Sequence, residues 1–347
     1  MIGKIHTYSS GMTMTHGQFK EVWNACCKTG CIQDDSKRWE KKEELYCYAY
    51  LDQGIKVYLH SKPGKLYRLR VQIEPCRVLG ETDPTALARM NRAQYQKMVK
   101  TADTLLKKLK VPCSIDKMKI SRCDLTINLE FSDQNELMEY LRIFKKGLLI
   151  YPYEHIFFKK HDQKVKDWKA ANDHSHCISC NGANFLIYDK IAQLVMIDRY
   201  DESLVGKHIL RFEAELKRTS IKKHLGKSAM ETNSKLLSAA AQKSPEVIRW
   251  YLNRMQPPCE KYLRYKDAVG LIEDAKLKEK TRDRMLYLLR KTSDKETLTA
   301  ALKALKVEYH LTGSQCRTVL KKFRKLGISP ITLPNSSELD ELPPICF

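Results

Sequence analysis

Three short segments carry side chains suited to phosphodiester chemistry. They are Ile120-Ser-Arg-Cys-Asp-Leu-Thr-Ile-Asn128, Asn184-Phe-Leu-Ile-Tyr-Asp-Lys190 and Leu210-Arg-Phe-Glu-Ala-Glu-Leu-Lys217. Each alternates with period 2, which predicts strands with one buried face. In the first, Cys123, Leu125 and Ile127 oppose Arg122, Asp124, Thr126 and Asn128. In the second, Tyr188 and Lys190 share a face. In the third, Arg211, Glu213, Glu215 and Lys217 oppose Leu210, Phe212, Ala214 and Leu216. Joined in one sheet, the polar faces would supply carboxylates, a phenol and an ammonium group. That set suits a metal-assisted attack on a phosphodiester by a tyrosine nucleophile.

Each group has a plainer reading beside it. A tyrosine hydroxyl attacks phosphorus once its proton is taken, and Lys190 would stand within reach of the hydroxyl or the phosphate. With 17 tyrosines in the chain, Tyr188 also reads as an ordinary residue lining a sheet. Asp124 and Glu213 are candidate ligands for Mg²⁺ or Mn²⁺, which prefer oxygen donors. Glu215 is an alternative or second ligand, and Glu74 a fourth candidate. The competing reading has Arg122 and Arg211 bridging these carboxylates across the sheet. His174, His176, Cys177 and Cys180 form a further cluster, open to zinc or to a general base. No second ligand pair lies at fitting spacing, and Cys26, Cys27 and Cys31 are distant in sequence. No phosphate-binding Gly-x-x-x-x-Gly-Lys-Ser/Thr loop, Gly-x-Gly-x-x-Gly turn or Gly-x-Ser-x-Gly elbow occurs.

The elements around these strands predict an α+β fold. Residues 54–60 and 66–74 alternate about a Ser61-Lys-Pro-Gly64 turn and read as a hairpin whose polar face carries Arg68 and Arg70. A helix is expected from Asp83 as N-cap and Pro84 at the first position to Pro112. Another runs from about Asp133 to Lys146, with Gly147 as its stop. Residues 151–182 read as a long polar, basic excursion. Beyond residue 230 the segments Ser238 to Met255, Lys261 to Arg290 and Ser314 to Gly327 look helical. The last is basic and amphipathic, a candidate recognition helix or simply a packing helix with a solvated face. The expected architecture is an antiparallel sheet with helices packed on one face, plus a mainly helical C-terminal region.

Net charge is +21, from 62 Lys+Arg against 41 Asp+Glu. An excess this large and this spread favours a phosphate track over a small anion pocket, so nucleic acid is the expected partner. Arg68, Arg70, Arg122 and Arg211 are the candidate DNA-facing cations. No apolar run suits a transmembrane helix and the first residues lack a secretion signal, so a cytoplasmic protein with reduced cysteines is expected.

These residues carry a resemblance. Ile120-Ser-Arg-Cys-Asp-Leu-Thr, then Phe185-Leu-Ile-Tyr-Asp-Lys190, then Leu210-Arg-Phe-Glu-Ala-Glu resemble, in order and separation, three motifs of the gene II type replication initiators of filamentous phages and related plasmids. Val71-Gln-Ile-Glu-Pro-Cys-Arg-Val-Leu-Gly80 and Gly327-Ile-Ser-Pro-Ile-Thr-Leu-Pro334 are similar to further stretches of that family. The likeness spans roughly residues 1–230. It implies a rolling-circle initiator of the HUH-nuclease-like class, which nicks one strand of a double-strand origin. A 5′-phosphotyrosyl ester forms and a 3′ hydroxyl is left to prime synthesis. The single-stranded product is later cut and rejoined. By this resemblance Tyr188 is the nucleophile and Lys190 stabilises the phosphate. Asp124 and Glu213 hold Mg²⁺ or Mn²⁺, with Glu215 unassigned beside them. A nicking domain over 1–230, a basic helical domain over 231–328 and a tail over 329–347 follow. So do a bacterial host's cytoplasm, helicase and polymerase. The His-hydrophobe-His metal motif of many such nucleases is missing; His174-Ser-His176 has a polar centre. Two rival classes are a non-catalytic origin-binding regulator and an RNA-binding protein that stacks bases on a tyrosine-rich sheet.

Overall fold

The computed structural model describes residues 1–8, 14–29, 45–51, 53–62, 66–159, 167–294 and 296–347. The chain is α+β, with a large antiparallel sheet and twelve helices among the described residues. The hydrogen-bonded order of its strands is β2-β3-β4-β1-β5-β9-β8-β7-β6. These are β1 (Ile2–Tyr8), β2 (Leu45–Leu51), β3 (Ile55–Lys62), β4 (Leu66–Ile73), β5 (Lys119–Phe131), β6 (Glu154–Ile156), β7 (Ser175–Cys180), β8 (Ala183–Asp189) and β9 (His208–Lys217). The chain divides into two compact units.

The first unit comprises Met1–Ile127, Asn181–Asn184 and Glu213–Val247. Its hairpin follows the alternation read from sequence. Ile55 pairs with Ile73, Val57 with Val71 and Leu59 with Leu69, and all six side chains are buried. Helix α1 (His16–Lys28) buries Phe19, Val22, Trp23 and Cys26, and Phe19 lies 5.3 Å from the Tyr67 ring. Strand β1 runs antiparallel to both β4 and β5, pairing Lys4 with Asp124 and Ile5 with Cys123 and Ile73. A Cβ on Gly3 would come within 2.6 Å of Thr126 Oγ1, so glycine permits this close approach of β1 to β5. Neighbouring backbone fixes the register: Thr126 N donates to Met1 O at 2.9 Å, and the buried Ser244 Oγ donates to the same oxygen at 2.8 Å.

After the short helix α2 (Pro75–Val78), the helix expected from Asp83 starts later, as α3 (Arg92–Lys108). The Asp83 carboxylate instead turns the chain locally, accepting from Thr85 N and Thr85 Oγ1 at 2.7 Å each. Met90 has a φ of 54°, which interrupts any helix running through it. Asn91 and Gln94 then form a reciprocal capping box that starts the helix. The apolar stripe survives the shift: Tyr95, Met98, Ala102, Leu105 and Leu106 are buried.

The second unit comprises Asn128–Cys180, Phe185–Phe212 and Ile248–Phe347. Helix α4 (Gln134–Lys145) follows Asp133 as expected, and its Phe144 meets Phe212 of β9 edge-on at 5.6 Å. Phe185 of β8 stacks on Tyr251 at 4.4 Å and 3°, and the Tyr251 hydroxyl bonds that of Tyr153 at 2.8 Å. The segment expected as an excursion is partly ordered structure. It holds β6, helix α5 (Trp168–Asp173) and β7, with Glu154–Ile156 paired antiparallel to Cys177–Ser179. The polar run Ser175–Cys180 extends because every second residue, His176 and Ile178, turns inward. Residues 160–166 of that segment lie outside the described residues.

Helices α6 (Lys190–Met196) and α7 (Arg218–Leu225) flank β9 in sequence, and α8 (Asn233–Met255) opens the helical C-terminal region. It continues through α9 (Tyr265–Asp274), α10 (Glu279–Ser293), α11 (Leu298–Glu308) and α12 (Gly313–Lys325). The last three pack on one another, and Leu288, Leu289, Ala301, Leu305, Val319 and Phe323 are buried. Thr312 and Gln315 cap α12, which ends at Gly327 with a φ of 71°. Arg317, Lys321, Arg324 and Lys325 are exposed along it. Ile328, Ile331 and Leu333 are buried, and Leu342 of β11 (Glu341–Leu342) pairs with Tyr262 of β10 (Tyr262–Leu263). Among the described residues no helix is long and apolar enough to cross a membrane.

Candidate functional site

The carboxylates singled out in the sequence do converge. Asp124 on β5 and Glu213 and Glu215 on β9 each offer an oxygen, and these oxygens lie within 4.8 Å of one another. Alternation explains the grouping: Glu213 and Glu215 share one face of β9, and Leu216, Ala214 and Phe212 take the other into the core. Asp124 and Thr126 are 0 % exposed, so the polar face of β5 is covered as well as its apolar face. Three hard oxygen donors at this spacing suit a divalent cation. Among the described residues this is the group of three or more His, Cys, Asp or Glu side chains able to hold a metal.

Cations of the protein already stand among these carboxylates. Arg122 Nε and Nη2 donate to the two oxygens of Asp124 at 2.7 and 2.9 Å, and Nη2 also bonds Glu215 Oε1. Asn184 Nδ2 donates to the other Glu215 oxygen at 2.6 Å. Lys4 pairs across the ladder with Asp124 and so shares its face. Burial alone would lower the Lys4 pKa, but Glu213, Asp124 and Glu74 outweigh it and hold it above the ordinary value. Arg122 is likewise held above its ordinary value: burial opposes this, and Asp124, Glu215 and Glu213 outweigh it.

Burial dominates the carboxylates. It pushes Asp124 up to about 7, with the Glu213 charge adding and Arg122 opposing. Glu215 is also raised, by burial first and Glu213 second, against Arg122 and Asn184. A raised carboxyl pKa means that the folded protein keeps a proton that the unfolded chain has lost. This group's contribution to stability is therefore greatest below the ordinary value of about 4 and declines as pH rises to about 7. Cation binding runs the other way, because a ligand must give up its proton. The affinity for Mn²⁺, measured by titration calorimetry, should climb between about pH 6 and pH 8 and then level off. A pH-independent affinity over that range would contradict the role given to Asp124.

Tyr188 and Lys190 lie in the second unit. Tyr188 is half-buried, on the face of β8 opposite Phe185 and Ile187. Lys190 departs from expectation: β8 ends at Asp189, and Lys190 is the first residue of α6 instead of sharing a strand face with Tyr188. Asp189 causes the break. Its Oδ1 accepts from Ile191 N and Ala192 N at 3.0 Å each and caps the helix. Its Oδ2 takes Gln134 Nε2 at 2.8 Å and His174 Nδ1 at 3.1 Å, and His208 Nδ1 sits 3.0 Å from Gln134 Oε1. A carboxylate only accepts, so Gln134 donates through nitrogen and His208 must donate to its oxygen. Both imidazoles thus carry their proton on Nδ1. Lys190 is 6 % exposed and donates to Gln193 Oε1 at 2.7 Å.

The four arginines separate. Arg68 is exposed, and Arg70 stacks over the Tyr58 ring at 4.1 Å. Arg122 grips carboxylates, while Arg211 is 6 % exposed and donates to Asn128 Oδ1 at 2.8 Å. Glu74 stands at the N-terminus of α2 near Arg77, outside the acidic group. In the His/Cys cluster, His176 is buried beside His155, 5.2 Å between ring centroids, and burial lowers its pKa to about 3. His174 turns instead to Asp189.

Sequence reasoning passed over Lys4, Asn184 and Asp189. A readable signal existed for Asn184, which shares the alternation of Tyr188, and for Asp189, an N-cap residue type directly before an apolar run. Lys4 had none, because it depends on which strand pairs with β5. No protein-family model matches the chain, and neither does any curated protein sequence.

Proposed function

We propose that this chain is a rolling-circle replication initiator that nicks one DNA strand at an origin through Tyr188 and later rejoins the product. The observation that carries this reading is the convergence of Asp124, Glu213 and Glu215, from two segments far apart in sequence, into a group able to hold a divalent cation. The fold we propose for this part is the HUH-nuclease-like one, an antiparallel sheet with helices on one face, with carboxylates in the role of the histidine pair. Asp124 and Glu213, with Glu215 beside them, would hold Mg²⁺ or Mn²⁺. Such an ion supplies charge neutralisation on the non-bridging phosphate oxygens.

In this reading the Tyr188 hydroxyl loses its proton and attacks phosphorus. The P–O3′ bond breaks, the 3′ oxygen leaves and takes up a proton, and the 5′ phosphate stays on the tyrosine. One phosphodiester is exchanged for another, which fits a chain without a nucleotide-binding loop. Lys190 would steady the phosphate charge. The large positive charge, the exposed Arg68 and the basic face of α12 would hold the origin duplex and the single-stranded product. Host helicase and polymerase, and a bacterial cytoplasm, belong to the same proposal.

A second reading, a non-catalytic origin- or single-strand-binding regulator, is favoured by one observation. Arg122 already satisfies Asp124 and Glu215, as a purely structural ion-pair network would. One experiment separates the two. The protein is incubated with end-labelled single-stranded origin oligonucleotide and Mn²⁺, then denatured. A label that stays with the protein supports strand transfer. Its absence on the cognate origin, with binding retained, leaves the regulator.

A further inference from the structure

We infer that α11, the turn 309–312 and α12 form a helix-turn-helix whose second helix, α12, lies in the major groove of duplex DNA, with Arg317 reading a base edge. The inference rests on the DNA-binding part of the reading above and names the duplex, and its sequence, as what α12 takes.

The turn comes first. Four residues join the two helices, the length usual for this motif. His310 has a φ of 47°; its N–H donates to Val307 O at 3.3 Å, and the Leu311 N–H donates to Lys306 O at 2.9 Å. This pair of bonds closes the end of α11, and Leu311 is buried just beyond it. Thr312 then caps α12. Helix α10 packs on both, and the Tyr309 ring of the turn meets Tyr287 of α10 edge-on at 5.5 Å. Backbone bonds and packing thus fix the path from one helix to the next.

The exposed face comes second. Cys316, Val319 and Phe323 are buried on one side of α12. Helical spacing puts Ser314, Thr318, Lys321 and Lys325 on the opposite side, with Arg317 and Arg324 beside them, and all six are exposed. Between Gly313 and Gly327 the charged residues are Arg317, Lys321, Lys322, Arg324 and Lys325, without any Asp or Glu among them. The side chains of Arg317, Lys321, Arg324 and Lys325 have no hydrogen-bond or ion-pair partner among the described residues.

The chemistry of that face selects the partner. The apolar side of α12 is spent in the core, so it is not offered to a lipid surface. The aromatic residue of α12, Phe323, is 0 % exposed, so unpaired bases find no ring to stack on. Duplex RNA has a major groove too narrow for side chains to read. The major groove of B-form DNA is about 12 Å wide and admits a helix about 10–12 Å across. In a helix-turn-helix the N-terminal part of the second helix meets the bases. Arg317 lies in that half and carries the fork that pairs with guanine O6 and N7. Lys321, Arg324 and Lys325, further along, suit phosphates.

The test is selection of bound duplexes by the full chain from a random-sequence DNA library at physiological salt. One sequence motif should be enriched. On that duplex, read by anisotropy, Arg317→Ala should bind about tenfold to a hundredfold more weakly, with little change on a scrambled duplex. Lys325→Ala should weaken both duplexes alike and reduce the salt dependence. No enriched motif overturns the inference, as does a motif that Arg317→Ala binds as tightly as wild type. An equal loss by Arg317→Ala on both duplexes also overturns it, because α12 then meets phosphates only. Should that variant not fold, the wild type decides through dimethyl sulfate footprinting. Guanine N7 shielded within the motif supports the inference, and N7 left open throughout overturns it. The adduct assay runs separately. An adduct without an enriched motif sinks this inference alone, and a motif that depends on Arg317 without an adduct sinks strand transfer alone.

Discussion

Tyr188→Phe is expected to remove the covalent protein–DNA adduct entirely while leaving the protein folded and DNA-binding. The change deletes one oxygen and keeps the ring. Tyr188 is half-buried on β8, so the packing of that face is retained and the stability cost should stay within about 1.5 kcal/mol, the scale of one hydrogen bond. Phenylalanine has no atom that can attack phosphorus, so the loss should be complete rather than graded. The measurement is labelled oligonucleotide retained by denatured protein, with anisotropy of the native complex as the binding control. An adduct that persists in Tyr188→Phe would move the nucleophile to another residue. One lost only together with binding would point to a base-stacking role for the ring.

The second large effect is on stability. Asp124→Ala should destabilise the fold by about 3–5 kcal/mol, because it takes both Asp124 acceptors from the part-buried Arg122 guanidinium and leaves a void where they stood. Asp124→Asn keeps the shape and should cost less. One of its polar atoms is an amide nitrogen, however, which would face an Arg122 donor where a carboxylate oxygen accepts today. The expected order in urea unfolding is wild type, then Asn, then Ala, and both variants should lose Mn²⁺ binding. An alanine variant as stable as wild type would mean that burying Asp124 costs as much as its ion pairs return.

The comparison of sequence with structure turns on what alternation can and cannot specify. The polar face of β5 and the glutamate face of β9 were legible because a side-chain period of 2 allows only two orientations. Their meeting was legible only as a condition, since which strands pair is decided by long-range contacts. Lys4 stayed hidden for that reason: nothing in Ile2–Tyr8 announces that the strand will lie against β5. Local chemistry overrode periodicity in two places. Asp189 ends β8 by capping the next helix, so Lys190 left the face expected for it. Asn91 outcompeted Asp83 as the start of α3 because Asp83 had closer backbone to bond. Ser175–Cys180 failed in the other direction, its polar composition masking an inward His176 and Ile178.

The pairing of Arg122 with Asp124 lies within one strand, two residues apart, whereas Glu215 and Lys4 reach the same place from β9 and β1. A slip of β5 by one residue against both neighbours would carry the arginine and aspartate together to the apolar side. Glu213, Glu215 and Lys4 would stay behind with neither. A one-residue slip of β5 thus buries the Arg122–Asp124 pair among apolar side chains and leaves two glutamates facing Lys4 without the arginine, whereas the observed register lets Arg122 reach both Asp124 and Glu215. The cluster therefore penalises a one-residue slip of β5 whether or not a ligand is bound.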